Sequence, residues 1–155
     1  MDELTMDEIV PIMLEVLESG AEFRLCPKGR SMLPSINEDT DSVMLASPND
    51  LRIMDAVLYR RKTGNYVLHR IVAEHGDFYD MCGDNQTVIE KDVPKSSVLA
   101  KLTGVYRNGE YIPATDASYV NGIKRLYRKK PIIRLIQRIK SKVRTLLKKA
   151  ETVAK

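Results

Sequence analysis

Short apolar runs separated by turn-forming residues, between Glu22 and Pro113, constrain the fold of this chain more than any other feature. Helical periodicity does not occur between these runs, so they predict strands of a mainly β, compact antiparallel domain, either a small barrel or a folded-over sheet. The runs are Ser42–Ala46, Ala56–Tyr59, Tyr66–Val72 and Val98–Val105, and the predicted turns are Lys62–Asn65, Gly83–Asn85 and Asn108-Gly109.

Two helical segments flank the predicted strands. Residues 7–18 place apolar side chains on one face and end near Gly20, which predicts a short amphipathic helix. From Ile132 onward, apolar residues recur at helical spacing through Ala150, with Lys and Arg between them. We therefore divide the 155-residue chain into an N-terminal amphipathic helix (1–20), a β domain (21–123) and a long basic amphipathic helical tail (124–155).

Charge is distributed very unevenly along the chain. Residues 1–123 contain 12 Lys/Arg and 20 Asp/Glu, whereas residues 124–155 contain 13 Lys/Arg and one Asp/Glu. An anionic membrane surface is a candidate partner of residues 124–150, because basic amphipathic helices bind such surfaces. The alternative is that the apolar stripe packs on the β domain or on a partner helix. Nucleic acid is not favoured, because Tyr127 is the only aromatic residue in this region.

Cysteine and histidine content argues against metal chemistry. The chain has two cysteines, Cys26 and Cys82, and two histidines, with no cluster of metal-ligand spacing. We predict no metal and no cofactor, and expect both thiols to be buried and reduced. The chain has no run of about 20 apolar residues and begins with the acidic segment 1–8, so we expect a cytoplasmic protein, with the tail as a route to peripheral attachment at the inner face of the membrane.

The segment Lys28–Ile36 carries the strongest chemical signal. Its glycine-bearing turn sets Ser31 ahead of an apolar residue and a rigid proline, which can hold a hydroxyl exposed for nucleophilic attack. Such a hydroxyl needs a base, and an imidazole with a pKa of roughly 6.5 is suited to that task. His69 lies in an alternating strand and is the better candidate, because His75 lies in a predicted polar turn.

Three short boxes resemble those of a known peptidase superfamily. Ser31-Met-Leu-Pro-Ser-Ile36 resembles the nucleophile box of type I signal peptidases and LexA-type repressors. Leu68–Val72 is similar to the His-Arg-Val/Ile box of the signal peptidases that use histidine in place of lysine, and Gly83–Asn85 resembles their Gly-Asp-Asn turn. Asp55–Tyr59 also resembles a strand start of the family, with Met54 where glycine is usual. The likeness runs from about Phe23 to Asp92.

The resemblance implies a signal peptidase/LexA-like β fold and a serine endopeptidase that hydrolyses an extended peptide. The catalytic residues would be Ser31 and His69, with Asp84 as the third member of a triad and Glu90 or Asp92 as the other acidic candidates.

The substrate-binding residues implied by the resemblance are Gly29, Met32 and Pro34. Because Gly29 lacks the hydroxyl that many relatives have there, the Ser31 N–H would stabilise the oxyanion. Arg30 departs from the small residue usual in the family. The alternative function is a non-catalytic peptide-binding or regulatory module on the same scaffold. Self-cleavage, as in the repressors, is disfavoured, because no Ala-Gly or Cys-Gly pair precedes Ser31.

Overall fold

The computed structural model describes residues 4–153, with side chains through residue 149. Residues 1–3 of the predicted N-terminal segment, the side chain of Ala150 and the end of the predicted tail lie outside this description. The elements are α1 (Met6–Glu18), β1 (Phe23–Leu25), β2 (Asp41–Ala46), β3 (Ala56–Arg60), β4 (Tyr66–His75), β5 (Phe78–Cys82), β6 (Glu90–Pro94), β7 (Val98–Arg107), β8 (Glu110–Pro113) and α2 (Ala117–Val153), with one 3-10 turn at Lys95–Ser97.

The eight strands form one antiparallel sheet. Its order is β1-β2-β7-β3-β4-β5-β6, and β8 pairs with β7 outside this path. All seven strand pairings are antiparallel. The predicted mainly antiparallel β architecture, with a short N-terminal helix and a long C-terminal helix, is therefore confirmed.

Two hairpins form where turn residues predicted them. Between β3 and β4, the Arg61 N–H donates to the Asn65 carbonyl at 2.8 Å, and Gly64 adopts a φ of +92°, which favours glycine. Between β7 and β8, Asn108 and Gly109 both have positive φ, as a type I′ turn requires. The segment Gly83–Asn85 is also a turn, but residues 86–89 separate it from β6.

The core consists of two buried clusters on the sheet. One cluster packs α1 against the first strands, with Val10, Met13 and Leu17 as the buried face of the helix. The other cluster lies around β3, β4 and β5 and includes Tyr59 and Ile71. Successive residues of β3 enter the two clusters in turn, so this strand is buried on both faces, which is why it appears in the sequence as a continuous apolar run.

Four features differ from the sequence-based expectations. Helix α2 begins at Ala117, before the predicted boundary at 124, because Asp116 caps it through a 2.9 Å hydrogen bond from the Tyr119 N–H. Strands β1, β5, β6 and β8 were not among the named runs, although the turn predicted at Asn108-Gly109 implies β8. Cys26 is exposed rather than buried, whereas Cys82 is a buried free thiol as expected. His75 is the last residue of β4 and not part of a turn.

None of the helices in the described part of the chain combines the length and apolar character that crossing a membrane demands.

Candidate active site

The loop that carries Ser31 is anchored in the core by the residues that follow it. Met32 and Ile36 are buried against α1, and the Ile36 N–H donates to the Met32 carbonyl at 3.0 Å. Gly29, before the serine, has a φ of +93°, and its N–H donates to the Glu38 carboxylate at 2.5 Å. The loop thus holds Ser31 half-buried at the protein surface.

The turn at Gly83–Asn85 binds directly to this loop. The Asn85 N–H donates to the Ser31 carbonyl at 2.8 Å, and its side-chain amide donates to the Arg30 carbonyl at 3.1 Å. Gly83 fits tightly, because a Cβ at this position would lie 2.7 Å from the Ser31 carbonyl oxygen and 3.0 Å from His69 Nε2. Two of the predicted boxes therefore meet, and only glycine fits between them.

His69 lies on β4 and shares a cavity of about 210 Å³ with Ser31, Gly29 and Met32. The imidazole is only 2% exposed. Its Nε2 atom makes no hydrogen bond within the described part of the chain, so the hydrogen bond between Ser31 Oγ and His69 is not formed here. Ser31 and His69 are nevertheless brought to one small cavity from separate parts of the sequence.

The other ring nitrogen of His69 faces a chain of polar groups. Tyr59 Oη lies 3.4 Å from His69 Nδ1 and donates to Glu90 at 2.7 Å. Arg61 holds the same carboxylate through Nε and a terminal nitrogen, at 2.9 and 2.7 Å. Although burial alone would raise the pKa of Glu90, the hydrogen bonds from Arg61 and Tyr59 lower it. A negative charge therefore lies one tyrosine away from the imidazole.

Burial is the main reason why the pKa of His69 falls from 6.5 to about 4. The charge of Arg61 also lowers this pKa, whereas the charges of Glu90 and Asp84 raise it. The imidazole is therefore neutral near pH 7 and able to accept a proton. The match between an imidazole pKa of roughly 6.5 and the catalytic task, expected from the sequence, does not hold, because the residue is almost fully buried.

Asp84 is buried beneath the site, but its carboxylate has other partners than His69. Arg70 binds it through Nε and a terminal nitrogen at 2.9 and 3.0 Å, and the Ser35 hydroxyl donates to it. Tyr127 Oη lies 2.9 Å from it. Burial would lower the pKa of Arg70, but Asp84 and Tyr119 together raise it. The contacts of Asp84 are those of a clamp that fixes the turn beside the nucleophile loop.

Helix α2 covers the other side of this turn, which the sequence did not predict. Lys130 is buried, and its ammonium group donates to the Gly83 carbonyl at 2.6 Å and lies 3.4 Å from the sulfur of Cys82. Burial lowers the pKa of Lys130. The same ammonium group stands 3.7 Å above the ring of Tyr127. The start of the predicted tail is thus part of the scaffold of the site.

The remaining predicted residues separate into two groups. Pro34 does not line the His69 cavity but a different one of about 480 Å³, beside Tyr119 and Ile123. Asp92 is exposed and lies 3.7 Å from His75, which contacts Asp80 at 2.9 Å. Of the two alternative acidic residues, Glu90 therefore reaches His69 through Tyr59, whereas Asp92 belongs to another cluster.

That cluster holds the one set of residues, among those described, with spacing for a metal ion. His75, Asp80 and Asp92 bring one ligand atom each within 4.8 Å of one another. His75 and Asp80 already contact each other at the surface, and nothing else at this place points to a bound ion. The absence of a metal remains a prediction.

Tyr59 is the site residue that sequence reasoning missed although a signal was present. The hairpin turn after β3 fixes the register that pairs Val57 with His69. Tyr59 is two residues from Val57 and so lies on the same face of the sheet as His69, within reach of a large side chain. Arg61 and Lys130 carry no comparable signal, because their positions depend on loop and helix packing.

Comparisons with protein-family models, with curated proteins and with solved structures found no match for this chain.

Proposed function

We propose that the protein is a serine endopeptidase in which Ser31 is the nucleophile and His69 the general base. The observation that carries the proposal is a buried, neutral imidazole whose Nε2 atom has no hydrogen-bond partner among the described residues and faces the cavity of Ser31. Buried polar atoms are normally satisfied, so an unsatisfied one beside a hydroxyl is typical of a functional site.

The reaction divides into acylation and deacylation. Ser31 Oγ attacks the peptide carbonyl carbon while its proton passes to His69 Nε2, and the Ser31 N–H donates to the oxyanion. The C–N bond then breaks, and the leaving amine takes the proton from Nε2. Water next attacks the acyl ester, gives its proton to His69 and releases the acid, and the proton returns to Ser31 Oγ. In this scheme the contact between Ser31 Oγ and His69 Nε2 forms when substrate binds, because catalytic contacts often tighten only then.

Tyr59 and Glu90 support the protonated imidazole in this scheme. When Nε2 gains a proton, Nδ1–H donates to Tyr59 Oη, whose own proton is held by Glu90. This arrangement fixes the tautomer in which Nε2 is free to act as a base. Glu90 therefore takes the role that the resemblance assigned to Asp84, although it acts through a tyrosine and not by direct contact.

The edge of β4 beside the cavity favours an extended peptide as substrate. Residues 66–69 pair with β3 on one side, whereas the pairing with β5 begins at Arg70. Residues 66–69 line the cavity that contains Ser31. A peptide that adds a strand there would place its carbonyl groups beside the hydroxyl, with backbone hydrogen bonds providing much of its affinity.

A mixture of unstructured peptides, analysed by mass spectrometry after incubation, tests the proposal. Ser31→Ala and His69→Ala should each lower cleavage by about a thousandfold or more. The matched controls are Ser96→Ala and His75→Ala, which change an exposed serine and an exposed histidine away from the cavity and should leave cleavage unchanged. Cleavage that survives Ser31→Ala in a folded protein would refute the proposal.

The second candidate function is a peptide-binding module without catalysis. The observation that favours it is the missing hydrogen bond between Ser31 Oγ and His69. In that case the same peptides would bind to residues 66–69 but remain intact, and Ser31→Ala would bind them as well as the wild-type protein does. Binding measured by calorimetry, together with the cleavage assay, separates the two functions.

A further inference from the structure

The second half of helix α2 carries an apolar stripe that no described part of the protein covers. Its side chains are 46–65% exposed, although each is Ile, Leu or Val. At 3.6 residues per turn, they occupy roughly a third of the helix circumference. The stripe, as we define it, consists of Ile132, Leu135, Ile136, Ile139, Val143, Leu146 and Leu147.

The domain contacts the opposite face of the same helix. Ile123 and Lys130 are buried against the domain, and Gln137 Oε1 accepts a 2.9 Å hydrogen bond from Thr87. These positions follow helical spacing and lie about half a turn away from the stripe. The stripe is therefore not an extension of the core, because the domain packs on the opposite face of the helix and leaves these apolar side chains exposed.

Many of the remaining positions in this half of the helix are basic. Between residues 124 and 149 the chain has 12 Lys/Arg and no Asp/Glu. Lys140 and Lys142 flank the stripe on its two sides, where long side chains can place their charges at a headgroup layer while their methylene groups lie on the apolar surface. Such a pattern is complementary to a surface with an apolar interior and a negatively charged outer layer.

We propose that this face of α2 docks on an anionic lipid bilayer. A nucleic acid would match the positive charge but not the row of exposed Ile, Leu and Val. A second copy of the chain would match the stripe but would bring the same basic residues face to face, which is unfavourable. A bilayer that contains anionic lipid matches both properties, and the docked helix would hold the Ser31 cavity close to the membrane surface through its contacts with the Gly83 turn.

Sedimentation with vesicles tests the proposal. The full chain should bind vesicles of phosphatidylglycerol and phosphatidylcholine but not vesicles of phosphatidylcholine alone. Leu135→Asp with Ile139→Asp should abolish binding, whereas the matched pair Ile53→Asp with Val88→Asp, at exposed apolar residues of the domain, should not change it. Lys140→Glu with Lys142→Glu should weaken binding about thirtyfold or more, and Lys62→Glu with Arg52→Glu much less.

Several results would overturn the proposal. One is vesicle binding that the two aspartate substitutions leave unchanged. Another is a dimer that forms without lipid, is seen by light scattering and dissociates when the two aspartates are introduced. Tighter binding of a single-stranded RNA than of vesicles, unaffected by the aspartates, would identify a nucleic-acid surface instead. Ser31→Ala should bind vesicles like the wild-type protein, so this test stands apart from the peptidase assay.

Discussion

Lowering the pH should destabilise the fold through His69 in particular. The residue is 2% exposed, and its pKa is about 4 in the folded protein against 6.5 as the ordinary value. Because the folded pKa is the lower one, the neutral imidazole stabilises the fold fully above pH 6.5, and this stability is lost as the pH falls to about 4. At 1.36 kcal/mol for each pKa unit, the loss is about 3 kcal/mol.

Urea unfolding at pH 7 and at pH 4 measures this loss when the wild-type protein is compared with His69→Gln. Glutamine does not titrate, so the wild-type protein should lose about 3 kcal/mol more between the two pH values than the variant does. His75→Gln, which removes the exposed histidine, is the control and should lose as much stability as the wild-type protein, because the carboxylates titrate in every variant. Equal losses in the wild-type protein and in His69→Gln would show that His69 does not cause the loss, as would an NMR titration that places the His69 midpoint near 6.5.

Three further predictions concern the groups around the cavity. Gly83→Ala should lower stability by about 1–3 kcal/mol and abolish cleavage, because its methyl group would meet the Ser31 carbonyl at 2.7 Å. Thermal melting and peptide cleavage measure these effects. The control Gly122→Ala, which has open space around it, should change neither. Asp84→Asn should lower the free energy of unfolding, measured in urea, by about 3–5 kcal/mol, because Arg70 is left buried without its anion. Adding Arg70→Met should restore most of that free energy. If the refolded double variant still cleaves no peptide, the result would instead support a triad role for Asp84. Arg61→Gln should raise the pKa of His69, because it removes a nearby cation and releases Glu90; an acid limb of the cleavage rate that does not move to higher pH would contradict this.

Strands β2, β3, β4 and β7 were predictable because each contains a short, mostly apolar run bounded by turn residues. The hairpin turns were predictable because Gly64 and Gly109 need a positive φ. Strand β6 was not, because only Val93 among its residues is buried and the strand depends on pairing with β5. The early start of α2 was missed although Asp116 is a local cap signal, because the apolar periodicity was followed only from Ile132.

The candidate site was predictable only in part, because the sequence indicates residues of the site but not all of their contacts. Short boxes indicated Ser31 and His69, and the structure brings both to one cavity. The partner of Asp84 was not predictable, because His69 and Arg70 are adjacent in β4 and so point to opposite faces of the strand. A carboxylate that pairs with Arg70 is therefore directed away from the imidazole.

Met54 departs from the peptidase box that residues 55–59 resemble, and the structure shows how its conformation is held. Its φ of +78° lies in the region that favours glycine, the residue usual at this place in the box that it resembles. Two hydrogen bonds hold this conformation, one from the Met54 N–H to the Ile71 carbonyl at 2.8 Å and one from Arg70 to the Met54 carbonyl at 3.0 Å. The sequence shows the substitution but not the contacts that offset its strain.

The pairing of Ser31 with His69 is tested by measuring how fast a serine-directed acylating probe modifies Ser31 as the pH is changed. We expect one adduct, on the peptide that contains Ser31, with a rate that falls on acidification as the His69 imidazole gains a proton near pH 4. His69→Ala should slow this labelling strongly at every pH above that value. No adduct at Ser31, or labelling of equal rate in the wild-type protein and in His69→Ala, would contradict the pairing of this hydroxyl with this base.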